Sequence, residues 1–144
     1  MRFMVIVKAS EASEAGVLPT PEEFEAMGKF NEELVDAGVL LAADGLQSSA
    51  KGARIYYDGD KQTVVDGPFT ESKELIAGFW LIEAKSLEEC VERFKRCPCP
   101  MPGVQTNIEI RRVFEAEDFG DNFTPERQEA VEALRERAAA QHSN

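Results

Sequence analysis

The stretch Asp66-Gly67-Pro68-Phe69-Thr70-Glu71-Ser72-Lys73-Glu74 decides how this chain is read. Before it, residues 62–65 (Gln-Thr-Val-Val) have the composition of a strand; after it, residues 75–82 (Leu-Ile-Ala-Gly-Phe-Trp-Leu-Ile) read as another. A Gly-Pro pair between two β-runs marks a turn. Here the turn is followed at once by an aromatic ring, two glutamates and a lysine. Loops carried on a rigid sheet are where ligand-binding groups concentrate. The strand after the turn is the most apolar in the chain, which places it centrally in its sheet.

Working outward, Asp58-Gly59-Asp60-Lys61 predicts a hairpin turn joining residues 54–57 to residues 62–65. Upstream, residues 2–8 and 39–43 read as strands. Between them Thr20-Pro21-Glu22-Glu23 announces a helix, with Thr as N-cap, Pro at the first helical position and Glu closing a capping box. Phe24, Met27, Phe30, Leu34 and Val35 form its apolar stripe. Residues 9–19 form a loop of small and acidic residues over one end of the sheet. Downstream, Ser86-Leu87-Glu88-Glu89 starts a second helix with Leu87, Cys90, Val91 and Phe94 inward, and residues 106–114 form the last strand, with Ile108, Ile110 and Val113 inward. The order is β-α-β-(β-β)-β-α-β. With the inserted hairpin removed, it is the βαββαβ pattern of an α+β ferredoxin-like sheet. The expected division is residues 1–114 as that domain. Residues 115–144 follow as an acidic linker and a peripheral helix starting at Thr124-Pro125, with Val131, Leu134 and Ala138 as a thin stripe.

The 144 residues suffice for a single well-buried core. A net charge of −11 argues against nucleic acid or anionic membrane as partners, because both require basic surface. The acid is concentrated late: eight acids and three arginines follow from Glu115 onward. No apolar run is long enough to cross a bilayer, and the first strand lacks the features of a signal peptide, so a cytoplasmic location is expected. The cysteines, Cys90, Cys97 and Cys99, fit a reducing compartment, and no Cys or His set completes a zinc site. No P-loop, G-x-G-x-x-G or H-E-x-x-H motif is present, so neither metal nor cofactor is expected.

The stretch from Asp66 to Glu74 resembles the DGPFAETKE-type signature of the YCII-related family, with Thr70 and Ser72 at its variable positions. The likeness extends to Met4-Val5-Ile6-Val7-Lys8, to Met27-Gly28-Lys29-Phe30-Asn31-Glu32-Glu33-Leu34, and to Gly45-Leu46 with Lys51-Gly52-Ala53-Arg54. It includes Gly78-Phe79-Trp80 and the run from Ile108 to Phe114. The resemblance spans roughly residues 1–125. It implies a dimeric α+β barrel in which two sheets pack face to face, so a homodimer is the expected partner state. Relatives often carry His after the Gly-Leu pair, where this chain has Gln47, and some are read as having a His–Asp catalytic pair. The one histidine here, His142, lies at the chain's end, so no such pair is expected. The resemblance also implies a setting near extracytoplasmic-function sigma factors.

Two readings of the signature turn stay open. In the first it is a small-molecule pocket lined by Asp66, Phe69, Glu71, Lys73 and Glu74, with Lys8, Arg54 and Gln47 contributing. Asp66 is then the candidate general base of an isomerase- or hydrolase-like reaction, and Lys73 orients an anion or tunes that carboxylate. Without histidine, the remaining catalytic groups are carboxylates, lysine, Tyr56, Tyr57 or a thiol. In the second reading Asp66 satisfies backbone N–H groups, Lys73 pairs with Glu71 or Glu74, and Pro68 and Phe69 pin the loop to the core. The protein is then a non-catalytic regulatory or interaction protein with the acidic helix as its contact surface. Whether the chain is an enzyme is not decided by its sequence.

Overall fold

In the computed structural model, residues 1–71 and 73–143 are described; Ser72 of the signature lies outside the described residues. The chain divides into two units, Met1–Arg112 and Val113–Asn144.

The first unit opens with β1 (Arg2–Lys8), a short helix α1 (Glu11–Glu14), α2 (Pro21–Asp36) and β2 (Leu40–Gly45). A 3-10 turn (Ser49–Lys51), β3 (Ala53–Asp58) and β4 (Lys61–Asp66) follow, then β5 (Ile76–Glu83), α3 (Leu87–Phe94) and β6 (Ile108–Arg112). Four strands form one antiparallel sheet in the order β2-β5-β1-β6, while β3 and β4 pair separately. With that hairpin set aside, the order is that of a ferredoxin-like α+β sheet. The hairpin closes through Gly59 and Asp60, between the paired Asp58 and Lys61. Gly59 takes φ 59°, a left-handed value that glycine adopts without strain. α1, inside residues 9–19, was not expected; Ser10 caps it, accepting from the Ser13 N–H.

The two expected capping helices form because their first turns satisfy otherwise orphaned N–H groups. Thr20 Oγ1 accepts from the Glu23 N–H at 3.2 Å, and Ser86 Oγ accepts from the Glu89 N–H at 3.1 Å. The side-chain register sorts the sheet into two faces. Phe3, Val5 and Val7 of β1 share a face with Trp80 and Ile82 of β5, and these pack with Phe30 and Leu34 of α2 and Cys90 and Phe94 of α3. The rings of Phe30, Trp80 and Phe94 meet edge to face, and Trp80 Nε1 donates to Asn31 Oδ1 at 2.8 Å. On the opposite face the register aligns Met4 with Leu81 and Ile6 with Phe79, and none of these four joins the core cluster.

The helical stripes are narrower than their sequence suggests. Phe24, Val35 and Leu87 are exposed at 62%, 59% and 46%. Val35 follows buried Leu34, and one residue turns a helix by about 100°. Phe24 and Leu87 stand in the first turns of α2 and α3. The last strand also stops short of Val113.

The second unit holds a 3-10 segment (Ala116–Asn122) where a linker was expected, and α4 (Pro125–His142), capped by Thr124. Phe114 stacks on Phe119 with ring centroids 4.7 Å apart, and Phe119 also contacts Phe123. No residue of α4 is buried, including Leu134 of the expected stripe. Among the described residues, no helix is long and apolar enough to cross a membrane.

Candidate functional site

β4 delivers Asp66 to the start of the signature turn, exposed and paired in register with Ala53 of β3. The chain then passes through a cis Gly67-Pro68 bond. Gly67 lies so close to the 3-10 turn that a Cβ there would sit 1.7 Å from the Ser49 carbonyl oxygen. Only glycine fits. Its N–H donates to the Gly52 carbonyl at 2.9 Å, and the Phe69 N–H donates to Ser49 Oγ at 3.0 Å. Arg54 from β3 lies over the Phe69 ring, 3.8 Å from its centroid, and reaches Glu71 at 3.4 Å. A hydrogen bond to the Tyr56 hydroxyl at 3.5 Å, and then Glu71, hold the Arg54 guanidinium above its ordinary pKa.

Arg54, Phe69 and Glu71 are thus brought together. Lys73 and Glu74 are exposed, and among the described residues no pairing of Lys73 with Glu71 or Glu74 is found: Glu71 pairs with Arg54. Lys8 is drawn across the sheet to Glu109 of β6 at 3.4 Å.

The signature turn meets a second layer that sequence reasoning missed. Ser49 Oγ donates to the Glu14 carboxylate, and the other carboxylate oxygen accepts from the Ser49 N–H at 2.9 Å. Ser48 Oγ donates to the Glu14 carbonyl at 2.6 Å. Residues 48–52 are therefore clamped between the signature turn on one side and α1 on the other. A serine pair followed by a tight turn carries little signal by itself, because such residues occur in most loops.

These two clamped segments form walls of a cavity of about 650 Å³. α1, its N-cap and the residues after it contribute Ser10, Ser13, Val17 and Leu18; the end of β2 and the following turn contribute Leu46, Gln47 and Lys51. The N-cap Thr20 with Glu23 and Phe24 of α2, and Met101 and Val104 of the loop before β6, also line it. Of the eight residues expected at the site, Gln47 lines this cavity; Asp66, Phe69, Glu71, Lys73, Glu74, Lys8 and Arg54 do not.

Most of its polar groups are already committed to the backbone. Ser10 and Ser13 cap each other, and Glu23 Oε2 accepts from the Thr20 N–H at 3.4 Å. The Gln47 amide and the Lys51 ammonium, by contrast, have no hydrogen-bond or ion-pair partner among the described residues. Among the described residues, no cluster of three or more His, Cys, Asp or Glu side chains is arranged to hold a metal ion. Cys90 and Cys97 are not activated nucleophiles. Burial, then the neighbouring Cys99, pushes the Cys97 thiol up to about 11, and burial raises Cys90 as well.

The model of the YCII-related domain matches residues 1–116, and the chain belongs to that family. An uncharacterized protein of Rhizobium meliloti (strain 1021) is 36% identical over 66 residues, a match covering 46% of this chain and 53% of the relative's length. The chain thus spans about half of that curated relative. Among solved structures, 5-chloro-2-hydroxyhydroquinone dehydrochlorinase from Burkholderia phenoliruptrix AC1100, in complex with 2,5-dihydroxybenzoquinone, is similar with a TM-score of 0.46 and 16% identity. That match covers 84% of this chain and 100% of the other.

Proposed function

We propose that this YCII-related protein binds a small organic molecule in the cavity between α1, the end of β2 and the loop before β6. One observation carries the reading: two uncommitted polar groups, Gln47 and Lys51, face a cavity of about 650 Å³ that is otherwise largely apolar. Ligand sites are commonly concavities of roughly 300–1,000 Å³ with a few oriented polar groups. In this reading the signature turn supports the cavity from outside, through its grip on residues 48–52. No reaction is routed through Asp66, which stands away from the cavity lining. The free thiols of Cys90, Cys97 and Cys99 support a cytoplasmic setting.

A thermal-shift screen of small organic acids and metabolites tests the reading, with Val104→Trp as a cavity-filled control. A ligand at a hundred times its Kd stabilises by about 2.7 kcal/mol. In a chain of this size that raises the melting temperature by about 6–10 °C. The expected compound shifts the wild type and not Val104→Trp. Compounds that shift both equally bind elsewhere, and the cavity reading then fails.

For a partner we propose a second copy of this chain. The β3–β4 hairpin is an isolated two-stranded sheet with Ile55, Tyr57 and Val64 exposed at 52%, 70% and 64%. Such a hairpin is marginal in water without further packing. The half-buried Met4, Phe79 and Leu81, on the sheet face outside the core cluster, offer a second apolar surface, with Ile6 buried beneath it. Covering both by self-association suits the twofold pairing commonest among oligomers. Sedimentation at micromolar concentration is expected to give a dimer; a clean monomer removes this proposal.

A further inference from the structure

The cavity does not stop at Phe24. A second depression of about 370 Å³ adjoins it, and the two share Pro19, Glu23, Phe24, Pro100 and Pro102. They form one trough with a change of chemistry along it. At one end stand the uncommitted Gln47 amide and Lys51 ammonium. At the other, Ala26 and Met27 of α2 and Pro98 give apolar walls beside the Glu22 carboxylate, and Glu23 stands at the junction of the two depressions. A cation at one end attracts an anionic head. The Glu23 and Glu22 carboxylates beyond that head repel a second one, and the apolar walls of Phe24, Ala26 and Met27 suit a hydrocarbon chain.

We infer that the trough takes a straight-chain monocarboxylate, its head toward Gln47 and Lys51 and its alkyl tail along Phe24 toward Ala26 and Met27. The inference rests on the binding reading above and narrows its ligand to one class. It makes three demands. Affinity grows with chain length, since each buried methylene is worth about 0.8 kcal/mol, or about fourfold in Kd. A carboxylate at both ends is rejected, because the second must lose its hydration beside Glu22 and Glu23. An uncharged head binds less tightly than the carboxylate by the worth of a partly exposed ion pair, about fivefold.

Isothermal titration of the full chain with butanoate, hexanoate, octanoate and decanoate tests the first demand; octanedioate and octan-1-ol test the others. The expected result is about a fourfold gain per methylene from hexanoate upward. Octanedioate should bind at least about tenfold more weakly than octanoate. Ala26→Trp, on the exposed surface of α2 and lining only the second depression, should abolish the gain between octanoate and decanoate while leaving butanoate unchanged. Lys51→Met should weaken octanoate and leave octan-1-ol alone. Affinity that ignores chain length, or octanedioate binding as tightly as octanoate, overturns the inference. If no monocarboxylate binds but a compact compound stabilises the wild type and not Val104→Trp, the inference falls while the cavity reading stands. If neither class binds, both fall.

Discussion

Gly67→Ala puts the packing of the signature turn to the hardest test. The added Cβ would lie 1.7 Å from the Ser49 carbonyl oxygen, 2.6 Å from its carbon and 3.3 Å from the Ala50 nitrogen, all backbone atoms. No rotamer can relieve a clash with backbone. The two turns must part until the closest contact exceeds the 3.0 Å below which real Cβ atoms are essentially never found. That movement stretches the Gly67 N–H bond to Gly52 at 2.9 Å and the Phe69 N–H bond to Ser49 Oγ at 3.0 Å beyond useful length. Each lost bond costs about 0.5–1.5 kcal/mol, and residual strain brings the total to about 2–4 kcal/mol. For a chain of this size the melting temperature should fall by about 6–12 °C. Thermal unfolding followed by Trp80 fluorescence reads this directly. The same displacement moves the wall carrying Gln47 and Lys51, so the variant should also lose the ligand-induced shift of the wild type. A melting temperature within about one degree of wild type would refute the reasoning, because it would mean that residues 48–52 yield freely and that the signature does not hold them.

Three further outcomes follow from particular contacts. Asn31→Ala removes the acceptor of buried Trp80 Nε1–H, 2.8 Å away, and should cost about 1–3 kcal/mol in chemical denaturation; unchanged stability would show that the bond contributes nothing. At pH 8 a thiol reagent should label exposed Cys99 rapidly and leave Cys90 and Cys97 untouched until unfolding, since Cys90 is buried and Cys97, with a pKa of about 11, is only about a thousandth ionised there. The linkage has a definite sign. The native Cys97 holds its proton above the ordinary value of 9.0, so stability present below that pH is lost as pH climbs to about 11. Cys97→Ser should flatten that part of the decline, and an unchanged slope would reject the assignment.

Much of the sheet was legible because its signals are local. The capping box at Thr20, the N-cap at Ser86, the Gly59 turn and the apolar run through Trp80 each depend on a few neighbouring residues. Errors arose where burial depends on distance to another element. Phe24, Val35 and Leu87 have the spacing of core residues, yet the sheet does not reach them. The candidate site was legible only in part. The signature turn was read as either a ligand pocket or a structural pin; Gly67 and Phe69 pack against Ser49 and Arg54, and none of its described residues lines the cavity. Glu14, Ser48 and Ser49 could not be found, because they act on segments 20 to 35 positions away along the chain.

What the sequence determined by itself is the order of the strands, the two capped helices between them, the hairpin and the family, since periodicity, caps and a nine-residue signature are properties of short stretches. What only the tertiary structure decided is which side chains share a space. Gln47 and Lys51 meet Val17, Met101 and Val104 because α1, the end of β2 and the loop before β6 converge at one end of the sheet. Convergence of segments distant in sequence leaves no periodic trace in any one of them, so no local pattern could have announced it.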